Sequence, residues 1–257
     1  MITWFNKKIA DAGFIVNLDH REDRLQSAYK ALEETNISGV KRFKAVVIPN
    51  SNGGCTQSHI EIAKLQIKNN WDYVLYLEDD IITDIFYDVS DNIDSINLNK
   101  VVSNVVKDIR TYKPDVLWLG VRPEGRVKKI SNMFVEPEKT VMSHAYLGSL
   151  KYAKFLVDNL LWKKDQHVTW DWPIDFFISE LNRKQDWKLF HEPLSGRENI
   201  LENDLKVYMM LPNIFVQGPS YSDISNRDED HTQWIKGCFK SNINTDELNI
   251  KKFLYNE

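Results

Sequence analysis

Cysteine is nearly absent from this chain: its 257 residues include two, Cys55 and Cys238. Two thiols cannot make a disulfide framework or, by themselves, a zinc site. Long hydrophobic runs are missing too. None approaches the roughly 18–20 apolar residues that cross a bilayer, so no membrane span is expected. The opening residues, Met1-Ile-Thr-Trp-Phe-Asn-Lys-Lys8, lack the apolar core of a secretory signal, which sets a cytoplasmic expectation. Basic charge is not in excess. The formal net charge is -4, without the footprint that nucleic-acid binding requires. There is no internal repeat and no low-complexity tract. What remains is a globular composition, 42% hydrophobic and 27% charged, long enough for one large α/β domain.

The first half alternates strand and helix patterns. Ala12 to Asn17 reads as a strand around Phe14-Ile-Val16. Asp19 or His20 opens a helix whose Leu25, Ala28, Tyr29 and Leu32 share one face. Arg42 to Ile48 reads as a second strand, stopped by Pro49, and Asn50-Ser-Asn-Gly-Gly54 as a loop. Ser58-His-Ile-Glu61 matches a capping box, with Ser58 as N-cap of a helix reaching about Asn69. After a polar stretch from Asp84 to Asn99, a helix from about Leu98 to Thr111 precedes the short strand Asp115-Val-Leu-Trp-Leu-Gly120, with Arg122 just beyond it. Arg126 to Leu150 is β-rich, with a strand at Ala145-Tyr-Leu-Gly148; Lys151 to Trp162 is helical. Pro173 suits the first turn of another helix, and Leu189–Pro193 and Asn213–Gln217 read as late strands. Such alternation implies a mostly parallel sheet with right-handed crossovers.

The chemistry concentrates in Tyr73-Val-Leu-Tyr-Leu-Glu-Asp-Asp80, where a buried strand ends in three carboxylates. Strand alternation puts Glu78 and Asp80 on one side and Asp79 on the other. Adjacent like charges lie in water or hold a cation, and hard divalent ions take oxygen ligands. In open parallel sheets ligands bind beyond the carboxyl ends of strands, and Asn17, Glu78 and Gly120 mark three such ends.

Ile15-Val-Asn-Leu-Asp-His-Arg-Glu-Asp-Arg24 resembles the opening motif of glycosyltransferase family 25. Gly54-Cys-Thr-Gln-Ser-His59 followed by Val74-Leu-Tyr-Leu-Glu-Asp-Asp-Ile81 resembles that family's most specific block. Asp115–Gly120, Ala145-Tyr146 with Lys151–Leu156, Trp172-Pro-Ile-Asp-Phe-Phe177, and Leu211–Gln217 with Ser222-Asp-Ile224 are similar to further blocks in the same order. Departures are Thr56-Gln57 in place of a more apolar pair, and Phe176 where an acid often follows the Pro-x-Asp aspartate.

The resemblance covers about residues 12–226 and implies a GT-A fold, in which a Rossmann-like nucleotide half joins an acceptor half. One domain over 1–257 is expected, divided at about 122, with 227–257 as a C-terminal extension. A UDP-sugar donor (UDP-galactose or UDP-glucose), Mn²⁺ or Mg²⁺, and inversion at the anomeric carbon are implied. The acceptor is a glycan hydroxyl or a hydroxylysine of a collagen-like protein. Two other readings compete. A non-catalytic sugar-nucleotide or glycan-binding protein opposes the retained acids, and a metal-dependent hydrolase lacks a second metal cluster or a His-rich motif.

Asp80 is the first candidate metal ligand, joined by Glu78 and, from the late Ser-Asp-Ile block, Asp223. Glu78 alternatively holds the ribose, and Asp79 binds donor hydroxyls or metal-bound water. Asn17 and Leu18 lie where uracil or ribose would sit; Arg21 and Arg24 suit the diphosphate, or line a solvated helix face. His59 contacts the donor, orients a carboxylate, or is structural, and Cys55 reads as a packing residue. Asp175 is the candidate catalytic base with Asp171 its competitor; either alternatively stabilises a helix start. Trp170 and Trp172 stack on an acceptor or pack in a core.

Overall fold

The computed structural model describes residues 1–48, 51–83, 98–161, 174, 181, 203–211, 213–222 and 227–229. Its centre is a βαβαβ unit. Strand β3 (Ala12–Asn17) leads through helix α1 (Glu22–Glu34) to strand β5 (Lys41–Lys44), and then through helix α2 (Ser51–Asn69) to β6 (Tyr73–Glu78). All three strands are parallel, with β3 between the other two. The apolar runs explain the arrangement: Ile15, Val74, Leu75, Tyr76 and Leu77 are fully buried, as strands covered on both faces must be.

The chain then passes through β7 (Ile81–Thr83) and α3 (Leu98–Tyr112) into a long hairpin, β8 (Val116–Lys129) and β9 (Phe134–Ser149). Helix α4 (Leu150–Leu161) and strand β10 (Val207–Met210) follow. In space the order is β10-β8-β9-β6-β3-β5, and β9 is the one strand of the six that runs against the others. The expected α/β class with a mostly parallel central sheet is what the structure has. Cross-strand aromatics hold β9 in the middle. Tyr146 is in register with Tyr76 on one side and Trp118 on the other. The Tyr76 and Tyr146 rings stack at 4.8 Å, and Trp118 meets Tyr146 edge-on at 5.0 Å. Such pairs contribute about 0.5–1.5 kcal/mol each beyond their burial.

Outside this sheet, β1 (Ile2–Trp4) and β2 (Lys7–Ala10) form a hairpin that adds β4 (Ile37–Ser38) at its other edge. Its two-residue turn, Phe5-Asn6, has φ of 46° and 61°, as a primed hairpin turn requires. Late in the chain, β11 (Phe215–Gln217) pairs with β7, and β12 (Ser220–Ser222) with β13 (Arg227–Glu229). Helices cover the sheets with their apolar faces. Leu25, Ala28, Ala31 and Leu32 of α1 are buried, and so are Val101, Val102, Val105, Val106 and Ile109 of α3. Each large side chain so buried stabilises by about 1.5–3 kcal/mol. Tyr29, assigned to the α1 face, is only partly buried.

Four local expectations are corrected. The capping box does not start a helix, because α2 already begins at Ser51. Ser58 lies well inside it, buried, donating to the Gly54 carbonyl at 2.7 Å and accepting the Val46 amide at 2.8 Å. Glu61 instead accepts from Gln57 and Lys64. The glycines before it serve close approach rather than a loop, since a Cβ on Gly54 would lie 2.5 Å from the Val46 carbonyl oxygen. Strand β5 ends at Lys44, not Ile48, because the chain leaves the sheet there to pass beneath α2. Arg122 is inside β8, not beyond a strand end, because pairing with β9 carries that strand on to Lys129. None of the described helices is long and apolar enough to cross a membrane.

Candidate active site

The carboxyl ends of β3 and β6 lie side by side, with Val16 paired to Glu78. Asn17, the last residue of β3, is buried and its Nδ2 donates to Asp79 Oδ2 at 2.8 Å and to the Arg21 carbonyl at 2.8 Å. Its Oδ1 accepts from Arg42 Nε at 2.8 Å. From α1, Arg24 brings Nη1 to 3.0 Å of Asp79 Oδ1 and 3.9 Å of Asp80 Oδ2. Burial pushes the Asp79 carboxyl up from its ordinary range, and the Asp80 charge adds to this, while Arg24 and Asn17 oppose it.

Asp80 is approached from the far end of the chain. Pairing of β11 with β7 carries Gln217 past the acidic turn, where its Nε2 donates to Asp80 Oδ2 at 2.9 Å and the Gly218 amide donates to the Asp80 carbonyl at 2.8 Å. The other carboxylate oxygen, Asp80 Oδ1, is buried without a hydrogen-bond partner among the described residues. A buried acceptor so placed fits a hard cation.

Glu78 faces elsewhere. Its Oε1 accepts from the Cys55 thiol at 3.6 Å and lies 3.9 Å from His59 Nε2, both on α2. The expectation that Glu78 and Asp80 share a face is therefore corrected. Strand β6 ends at Glu78, and the chain turns through Asp79-Asp80 into β7, so strand alternation stops where it was being counted.

The other expected residues are dispersed. Arg21 is mostly buried and forks onto its helix neighbour Asp23, with both contacts at 3.0 Å. Its hydrogen bond holds the Asp23 carboxyl at about 2, well below the usual range. Leu18 is half-buried in the turn after β3, its carbonyl accepting the Arg21 amide at 3.0 Å. His59 is fully buried; desolvation lowers its pKa to about 4, so the imidazole is neutral. Its Nδ1 lies 2.7 Å from the Tyr146 hydroxyl, and its ring stacks with Tyr76 and Tyr146. Cys55, expected as a packing residue, is partly buried against the core, and its thiol also meets the Glu78 carboxylate. Gly120 is separated from β6 by β9; each of Gly120 and Leu77 pairs with Ala145. Asp171, Asp175, Asp223, Trp170 and Trp172 lie outside the described residues.

Sequence reading missed three contributors. Arg42 binds Asn17 and also Asp19, at 2.6 Å, from a strand to which no site residue was assigned. Gln217 sits in a recognised block with no assigned role. His144 is buried between β9 and its neighbours, 3.4 Å from the carbonyl of Phe215 on the strand that carries Gln217, and a Cβ on Gly120 would meet its Nε2 at 2.6 Å. A histidine just before the Ala145 strand run was the available signal.

No family model matches the sequence, and no curated protein matches it. Solved structures give distant likenesses. A glycosyltransferase involved in the glycosylation of the major capsid of PBCV-1 aligns with a TM-score of 0.37 at 8% identity, over 62% of this chain and 69% of that one. A197 from STIV aligns at 0.32 and 12%, over 56% and 65%. Mannose-1-phosphate geranyltransferase from Thermus thermophilus aligns at 0.33 and 9%, over 62% and 65%. The chain thus spans about two thirds of the length of these neighbours. At such identity and overlap they speak to neither substrate nor chemistry.

Proposed function

We propose that this chain is a glycosyltransferase of the GT-A kind, related to family 25, that moves a hexose from a UDP-sugar to a hydroxyl of a glycan or of a collagen-like protein. The observation that carries the reading is the joining of Asn17, Arg24 and Asp79 at the carboxyl ends of two adjacent parallel strands, next to the buried Asp80 oxygen that has no hydrogen-bond partner among the described residues. Ligands of such sheets bind there. Arg24 offers a guanidinium suited to a diphosphate, and Asn17 keeps the Asp79 carboxylate oriented.

In the transfer, the bond between the anomeric carbon and the diphosphate oxygen breaks, and the acceptor oxygen bonds to that carbon from the opposite face. The leaving diphosphate takes the bonding pair, and the acceptor proton passes to a carboxylate base, for which Asp175 is the candidate and Asp171 the alternate. Asp80, with Asp223 as a further candidate, would hold Mn²⁺ or Mg²⁺, which when bound offsets the charge gathering on the leaving group. Arg24 supplies positive charge at the same edge.

Calorimetric titration with UDP-galactose, UDP-glucose and other sugar nucleotides, with and without Mn²⁺, tests the reading. Metal-dependent binding of one UDP-hexose is expected, and failure of every sugar nucleotide to bind would sink it. Transfer to hydroxyl acceptors, followed by release of UDP, separates an enzyme from a protein that only binds the donor. Asp175→Asn is expected to keep donor binding and lose transfer; retained transfer passes the role to Asp171.

A further inference from the structure

At β6's last residue, Glu78, three side chains of different chemistry converge. Cys55 and His59 are four residues apart on α2 and so share one helix face, and Glu78 reaches that face from the strand end. The thiol, the imidazole Nε2 and a carboxylate oxygen all lie within 4.8 Å of one another. The Cys55 Sγ to Glu78 Oε1 distance is 3.6 Å and the His59 Nε2 to Glu78 Oε1 distance 3.9 Å. Ligands about 2.0–2.3 Å from a tetrahedral zinc are about 3.4–3.6 Å apart. The Cys55–Glu78 pair already has that spacing, and His59 must draw in towards Glu78 to reach it.

A second observation points the same way. His59 is 0% exposed, and its Nε2, aimed into the cluster, has no hydrogen-bond partner among the described residues. A buried polar nitrogen in that position calls for a partner. The remote nitrogen is provided for: Nδ1 lies 2.7 Å from the Tyr146 hydroxyl, which also accepts from Tyr152 at 3.2 Å. A phenolic oxygen has two lone pairs, so it can take the imidazole N–H as well and leave the Nε2 lone pair facing the cluster. Histidines that bind metals usually have their other nitrogen held in this way. Cys55 and Glu78 are only partly buried, so an ion enters from their side.

We propose that Cys55, His59 and Glu78 form a zinc site, distinct from the Asp80 edge, that ties α2 to the end of β6. The mixed sulfur, nitrogen and oxygen set selects Zn²⁺ over Mg²⁺ and Mn²⁺, which prefer oxygen alone. Binding forms a Zn–S bond and releases the thiol proton to solvent; the imidazole and the ionised carboxylate each contribute a lone pair. The site goes beyond the transferase reading and does not depend on it.

The test uses the full chain, stripped with a chelator and titrated with ZnCl₂ against a chromophoric competitor, and with CoCl₂ for its thiolate charge-transfer absorption. Wild type is expected to bind one zinc ion and to show that absorption with Co²⁺. Cys55→Ser abolishes the absorption, and Glu78→Gln, which removes a direct ligand's charge, weakens zinc binding. Tyr146→Phe, which releases the remote imidazole nitrogen, weakens it by about ten- to a hundredfold, while Cys238→Ser leaves both readouts unchanged. Circular dichroism of each stripped variant separates lost binding from lost fold, and His59, in the core, is left intact. Absence of saturable zinc binding in wild type, or absorption that persists in Cys55→Ser and vanishes in Cys238→Ser, would overturn the site. Neither readout involves a sugar nucleotide, so failure here leaves donor binding to be judged separately.

Discussion

Glu78 and Asp80 are two residues apart and serve different neighbours: Glu78 turns to Cys55 and His59, Asp80 to Arg24 and Gln217. The acidic run therefore meets two different sets of neighbours, divided where β6 becomes a turn.

That division predicts unequal effects on donor binding. Asp80→Asn should weaken Mn²⁺-dependent UDP-sugar binding by about tenfold or more, about 1.4 kcal/mol. Glu78→Gln should change it by much less. Calorimetry on the two variants side by side decides; equal losses would mean that one ion spans both carboxylates.

Among the described residues, Arg24 is the cation within reach of both turn aspartates, and its side chain and that of Asp79 are 14% and 10% exposed. Arg24→Met leaves a buried carboxylate short of its counter-charge and should destabilise by about 3–5 kcal/mol near neutral pH. The Asp79 pKa is already raised by burial, so ionising this group costs more in the fold than in the unfolded chain. Stability tied to Asp79 is thus greatest where the group is protonated and falls as pH rises through its raised pKa. The variant's deficit should shrink towards acid pH, and adding Asp79→Asn should recover most of it. Urea unfolding of both variants across pH checks this, and a deficit independent of pH would contradict it.

His59 carries the opposite sign. Its pKa falls from 6.5 to about 4 on burial, so between those values the unfolded chain takes up a proton that the folded one refuses. In chelator-treated protein, stability should therefore decline as pH drops from 6.5 to about 4, by on the order of 3 kcal/mol. Subtracting the profile of His59→Gln from that of wild type isolates the contribution. Parallel profiles would show that His59 is not the group responsible.

Ser58 links Val46 to Gly54 from inside α2. Ser58→Ala removes the acceptor for the Val46 amide and should destabilise by about 1–3 kcal/mol. Hydrogen exchange should quicken at Val46. A change confined to amides immediately after residue 58 would instead indicate a helix cap.

The legible parts of the fold were those with a strong one-dimensional pattern. Buried strands such as Tyr73–Leu77 need apolar side chains on both faces, and α1 needs its buried residues at helical spacing. The Ser58–Glu61 pattern misleads because a cap requires a free helix end, and whether the preceding Ser-Asn-Gly-Gly is helical depends on how closely Gly54 must approach Val46. Contacts of Arg42 and Gln217 were illegible for other reasons: the first depends on the register of β5 against β3, and the second on pairing between segments far apart in sequence.

By itself, the sequence determined the α/β alternation, the parallel β3, β5 and β6, and the concentration of carboxylates after the β6 run, since these follow from local periodicity and composition. Only the tertiary structure decided which way each carboxylate faces. A strand's alternation holds only while the strand continues, and its end is set by the pairing of β7 with β11, more than a hundred residues later. The same packing brought Cys55 and His59 to Glu78, giving those side chains a shared chemistry that their separation along the chain conceals.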